Sequence, residues 1–205
     1  MKNIHYISSD QLDIETINKI ITEKYSITLS SESRNNIVKC RQYLDKLLEN
    51  NPPPIYGINT GFGSLCNKIV APEDYSELQE NIVKSHACGV GEMVIDEIVK
   101  IMLLLKIQSL SYGKSGVSLE TVERLIYFFN NNVFPIIYNQ GSLGASGDLV
   151  PLAHLSLPLI GEGEVKVDDV IMSTVEYNKK AGLLPLELKA KEGLALLNGT
   201  QFMSA

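Results

Sequence analysis

Residues Gly141-Ser142-Leu143-Gly144-Ala145-Ser146-Gly147 carry a glycine at every third position, so main-chain atoms there can approach one another closely. In a loop that is forced tight, the Gly147 amide nitrogen can attack the carbonyl carbon of Ala145. Loss of one water from that adduct and of a second from the Ser146 side chain gives a five-membered ring with an exocyclic alkene. Each residue type suits its part: Gly147 has no side chain to block the attack, Ser146 supplies the leaving hydroxyl, and Ala145 is small. The product is a strong electrophile made without a bound cofactor. The same residues also suit a plainer structure, a tight loop entering a helix with Ser146 or Asp148 as N-cap and Pro151 in the first turn. A phosphate-cradling loop is disfavoured, because neither a Gly-Lys-Ser/Thr ending nor GxGxxG is present.

Three further places carry polar groups beside glycines. Tyr56 opens the stretch Tyr56-Gly57-Ile58-Asn59-Thr60-Gly61-Phe62-Gly63, a mobile or sharply turned loop. His86 stands in Ser85-His86-Ala87-Cys88-Gly89-Val90-Gly91, and Asn198 in Leu197-Asn198-Gly199-Thr200-Gln201. Taken singly, each has a bland reading: a surface tyrosine, a histidine satisfied by backbone, and a helix stop before glycine. Asn198-Gly199-Thr200 also has the form of a glycosylation sequon, which a cytoplasmic chain would never present to that machinery.

Together and in this order, the four segments closely resemble the aromatic amino acid ammonia-lyase family, which comprises histidine, phenylalanine and tyrosine ammonia-lyases and the related aminomutases. The segment from Gly141 to His154 is similar to that family's signature. The resemblance implies that Ala145, Ser146 and Gly147 become 4-methylidene-imidazol-5-one (MIO), with no external cofactor and no metal. It implies that Tyr56 removes the β-proton of the substrate from a loop that closes on Gly57, Gly61 and Gly63. It implies that His86 binds the substrate side chain and that Asn198 positions ring and substrate. Ser85-His86 and Thr200-Gln201 look most like the histidine-specific members, so the expected reaction converts L-histidine to trans-urocanate and ammonia. A tyrosine lyase or an aminomutase is the alternative, since an imidazole also hydrogen-bonds a phenol. A non-catalytic helical assembly piece is the alternative of another class. Ser118 departs from the family, which often has arginine there, and puts one helix-start contact in doubt.

The elements that must position these residues read as helices. Ser8 and Gln11 have capping-box spacing ahead of Ile14, Ile17, Ile20 and Ile21. Tyr25 to Leu29 alternates like a short strand. Ser30 or Ser31 caps a helix with the stripe Ile37, Cys40, Leu44, Leu47 and Leu48, which must stop at Asn51-Pro52-Pro53-Pro54. Helices are predicted over 73–87, 96–112, 118–131 and 152–160, with Ile98, Ile101, Leu104, Leu105 and Gln108 forming a core stripe. A β-hairpin is predicted over 165–172 and a last helix over 189–197. The fold class is mainly α, with a small β-hairpin, the N-terminal part of the ammonia-lyase fold. No repeat or linker divides residues 1–205, so they read as a single region.

Composition closes off other classes. The 205 residues carry 18 Lys+Arg against 24 Asp+Glu, a net charge of −6, which suits neither a nucleic-acid groove nor an anionic membrane. The three cysteines and three histidines lack disulfide or metal-ligand spacing. No segment is apolar enough to span a membrane, and the first residues lack a secretion signal, so a reduced cytoplasmic location is expected. His154 and Cys88 read as packing residues. Family members are much longer and form homotetramers whose later half supplies an arginine, aromatic residues and a glutamate. This chain is therefore expected to be an N-terminal portion, inactive alone.

Overall fold

The computed structural model describes residues 3–50, 52–145 and 147–205. Expectations for Met1, Lys2, Asn51 and Ser146 lie outside the described residues. Strand β1 (Ile4–Ile7) pairs in parallel with β2 (Ser26–Leu29), and α1 (Ile14–Thr22) crosses between them. Ile7, Ile20 and Ile27 bury this unit against the rest of the core. The strand at Ser26–Leu29 was expected; its partner was not, because four residues beside the N-terminus carry too little pattern. Helix α1 starts later than the capping-box spacing suggests. Asp13 caps it, accepting from the Thr16 N–H at 2.7 Å, whereas the Ser8 hydroxyl donates to Asp10.

Helix α2 (Ser31–Glu49) is capped by Ser30, whose hydroxyl accepts from the Ser33 N–H, and it turns Ile37 and Leu44 into the core. Helix α3 (Tyr75–His86) leads into β3 (Val90–Met93), then α4 (Asp96–Ser111) and α5 (Leu119–Asn130). The predicted stripe on α4 is too narrow. Val99, Met102, Leu103, Leu104, Lys106, Ile107, Gln108 and Leu110 are all buried, because α1, α2, α5 and α9 (Gln201–Ser204) pack around this helix. A helix enclosed on several sides has no single apolar face.

Strand β4 (Phe134–Pro135) joins β6 (Glu164–Val167) and β7 (Val170–Ser173) in a three-stranded sheet. The β6–β7 hairpin is the predicted one, and its turn puts Asp168 and Asp169 at φ +48° and +62°, as a type I′ turn requires. Strand β5 (Tyr138–Gln140) pairs antiparallel with β3, an unforeseen pairing because Gly89 and Gly91 obscure the alternation. Helix α6 (Leu149–Ser156) begins just after the glycine-rich loop, followed by α7 (Thr174–Ala181), α8 (Glu192–Leu197) and α9. The architecture is mainly α with small sheets. No described helix is long and apolar enough to cross a membrane.

Candidate active site

The loop before α6 is laid against the segment that follows α3. Gly141 is at φ +113°, and a Cβ added there would lie 3.1 Å from the Cys88 carbonyl oxygen. The Ser142 hydroxyl accepts from the Val150 N–H at 3.3 Å, tying the two ends of the loop together. Inside this closed neck Gly147 adopts φ +75°, a left-handed conformation that favours glycine, and apart from its chain neighbours no described residue stands within 4 Å of where its Cβ would be. Ala145 is exposed and Leu143, at the crest of the loop, is 95% exposed. Ser146 lies outside the described residues. The described loop is thus tight, unhindered at Gly147 and open to solvent, which fits a ring closed between Ala145 and Gly147.

Asp148 anchors the loop from below. It is 1% exposed and occupies the N-cap position of α6 without capping that helix by its side chain. Its Oδ2 instead accepts from the backbone N–H groups of Phe202 at 2.8 Å and Met203 at 3.1 Å, at the start of α9. Asn198 ends α8 with its side chain exposed. Its carbonyl oxygen accepts from Lys106 Nζ at 2.8 Å, and the same ammonium donates to the Ala195 carbonyl at 2.9 Å. Lys106 has no exposed surface, and burial pushes its ammonium down to about 7 against the opposing pull of the Asp148 carboxylate.

His86 closes α3, half-buried, with Nδ1 2.9 Å from the Ile82 carbonyl oxygen and 3.1 Å from the Ser85 hydroxyl. A carbonyl only accepts, so this contact places a proton on Nδ1, and in the neutral ring Nε2 is left as an acceptor. Two residues beyond Ala87, Gly89 donates its N–H to His154 Nε2 at 2.9 Å, so His154 pins the His86 segment to α6 and does more than pack. Burial pushes the His154 imidazolium below its ordinary value, consistent with a neutral acceptor.

Tyr56 is 54% exposed and meets the Phe62 ring edge-on at 6.0 Å. Its loop is well anchored: the Asn59 side chain accepts from the Ile55 N–H at 2.7 Å and donates to the Pro52 and Pro53 carbonyls. Gly57, at φ +68°, lets the loop lie directly on α8, where an added Cβ would come within 2.3 Å of Leu194 Cδ2.

Helices α3, α6 and α8, which carry His86, the glycine-rich loop and Asn198, pack against one another, and the Tyr56 loop rests on α8. The four places are thus joined through backbone and packing. Among the described residues no side-chain hydrogen bond links Tyr56, His86, Ala145 and Asn198 to one another. Cavities of 390, 850 and 970 Å³ lie elsewhere, none lined by these residues. Sequence reasoning missed Lys106 and the bond from Asp148 to α9. The available signal was a lone lysine inside the apolar run Ile101 to Leu110, with no acidic residue one turn away. The departure at Ser118 leaves a sound contact: its N–H donates to buried Glu192 at 2.8 Å, and its hydroxyl caps α5.

A family model described as aromatic amino acid lyase matches residues 12–205. A histidine ammonia-lyase of Legionella pneumophila strain Philadelphia 1 is 52% identical over 195 residues, covering 95% of this chain and 38% of that protein. The crystal structure of histidine ammonia-lyase from Trypanosoma cruzi has a TM-score of 0.88 at 36% identity, covering 98% of this chain and 38% of that one. Pantoea agglomerans phenylalanine aminomutase has a TM-score of 0.90 at 35% identity, over 98% of this chain and 38% of that one. The chain spans about two fifths of the length of the relatives it matches.

Proposed function

The chain belongs to the aromatic amino acid lyase family, and on that premise we propose that the whole protein eliminates ammonia from L-histidine to give trans-urocanate. The observation that carries the reading is Gly147, left-handed and unobstructed, tied through Asp148 to the turn that bears Asn198. A residue without a side chain at position 147 leaves its amide nitrogen free to approach the Ala145 carbonyl. The dehydrated ring, MIO, supplies an electrophile for the substrate amine and so improves it as a leaving group.

This chain's own residues do the rest. Tyr56, 54% exposed, takes the β-proton as its phenolate and becomes the phenol. His86 accepts a hydrogen bond at Nε2 from the substrate imidazole N–H, its ring fixed by the contact of Nδ1 with Ile82. Asn198 presents an exposed side chain from a backbone that Lys106 holds still, and it orients the amino acid. The remaining part of the protein closes the site in a cytoplasmic homotetramer, and this chain alone is inactive.

The same His86 acceptor suits the hydroxyl of tyrosine, which keeps a tyrosine lyase or aminomutase as a second reading. Ultraviolet assay of the whole protein separates them. Urocanate from histidine, with no coumarate from tyrosine, is the expected result; coumarate without urocanate, or a β-amino acid product, contradicts the choice of substrate.

A further inference from the structure

Lys106 is among the largest fully buried side chains described and the one polar residue in the middle of an otherwise apolar helical turn. A methionine would fill similar volume with no desolvation of charge. What the ammonium does there is specific. Helix α8 ends where Asn198 turns extended, at ψ 128°, so its last carbonyls have no partner in a continuing helix. Lys106 takes two of them, Ala195 and Asn198. A cation suits this end of a helix, where the backbone dipoles leave partial negative charge.

On the far side of the same turn stands the opposite arrangement. The first N–H groups of α9 point at the buried carboxylate of Asp148, an anion where partial positive charge gathers. The turn Asn198-Gly199-Thr200 is therefore gripped at both ends from beneath, by a cation on one side and an anion on the other. Those two charges attract each other in a site closed to water, where such attraction is strong. Asp148 is also the residue bonded directly to Gly147. Displacing the ammonium would loosen both grips and let the Asn198 turn drift from the Gly147 segment.

We propose that Lys106 is a positioning residue for ring formation, holding the Asn198 turn and the Gly147-Asp148 segment in one fixed relation. The inference rests on the reading of Ala145-Ser146-Gly147 as a self-dehydrating triplet. It assigns Lys106 no contact with substrate. Its effect is exerted through Asn198 and Asp148.

The test is the intact mass of freshly synthesised whole protein followed over time, for the unaltered sequence, Lys106→Met and Lys106→Arg, with circular dichroism to verify folding. The expected result is loss of two waters in the unaltered protein, and loss slowed roughly tenfold or more in folded Lys106→Met, the rate effect of losing bonds from a charged donor. Lys106→Arg, which keeps charge and donors, should recover most of the rate. A folded Lys106→Met that dehydrates as fast as the unaltered protein overturns the proposal. If Lys106→Met does not fold, Asp148→Asn decides, since it keeps an acceptor for Phe202 and Met203 and removes the charge that attracts Lys106. Slowed dehydration supports the proposal and an unchanged rate overturns it. Failure of the underlying reading looks different: the unaltered protein itself would keep both waters.

Discussion

At the scale of single residues, Tyr56 is where loss of one oxygen should matter most. Tyr56→Phe keeps the ring packed on Phe62 and removes only the group assigned to the proton. The whole protein carrying it should lose roughly 10²- to 10⁴-fold in kcat, the usual worth of a positioned acid or base, with KM little changed and the mass of the dehydrated triplet intact. Steady-state assay and mass spectrometry together check this. His86→Leu should act on the other constant, raising KM for histidine by about tenfold through loss of one buried hydrogen bond while dehydration proceeds. These candidates stood out in the sequence by type alone: a phenol, an imidazole and an amide beside glycines. Lys106 did not, because periodicity counts a lysine as a polar, outward residue. Only the packing of α9 and the end of α8 against α4 turns it inward.

At the scale of elements, the start of α8 depends on one carboxylate. Glu192 has no exposed surface and accepts from the Ser118 N–H at 2.8 Å, the Thr121 hydroxyl at 2.7 Å and the Lys189 N–H at 2.8 Å. Glu192→Ala would strand three donors and should destabilise the protein by about 3 kcal/mol or more, read as a lower midpoint in denaturant unfolding. That knot was invisible beforehand because two of its three partners, Ser118 and Thr121, lie more than 70 positions away in the chain. Helices α2, α3, α4 and α5 were legible to within a few residues, since serine caps on α2 and α5, prolines near α2 and α3, and Gly113 after α4 mark ends locally. The pairings β1–β2 and β3–β5 were not, because no short turn joins the two strands of either pair in the chain. The β6–β7 hairpin was, because two aspartates between β-branched runs mark its turn.

At the scale of the whole molecule, the buried ammonium gives stability a pH dependence. Lys106 releases its proton at about 7 when folded and at about 10.4 when unfolded, so between those values the unfolded chain binds more protons. Its contribution to stability therefore rises with pH across that window, and is flat and least favourable below it. Unfolding free energies measured from pH 6 to pH 10 should lose this rise in Lys106→Met. Dehydration of the Ala145-Ser146-Gly147 triplet is tested most directly by the intact mass of the whole protein beside that of Ser146→Ala. The expected result is a protein lighter than its sequence by two waters, with Ser146→Ala at full weight and without lyase activity. A protein of full weight that still releases ammonia from its amino acid would contradict the claim.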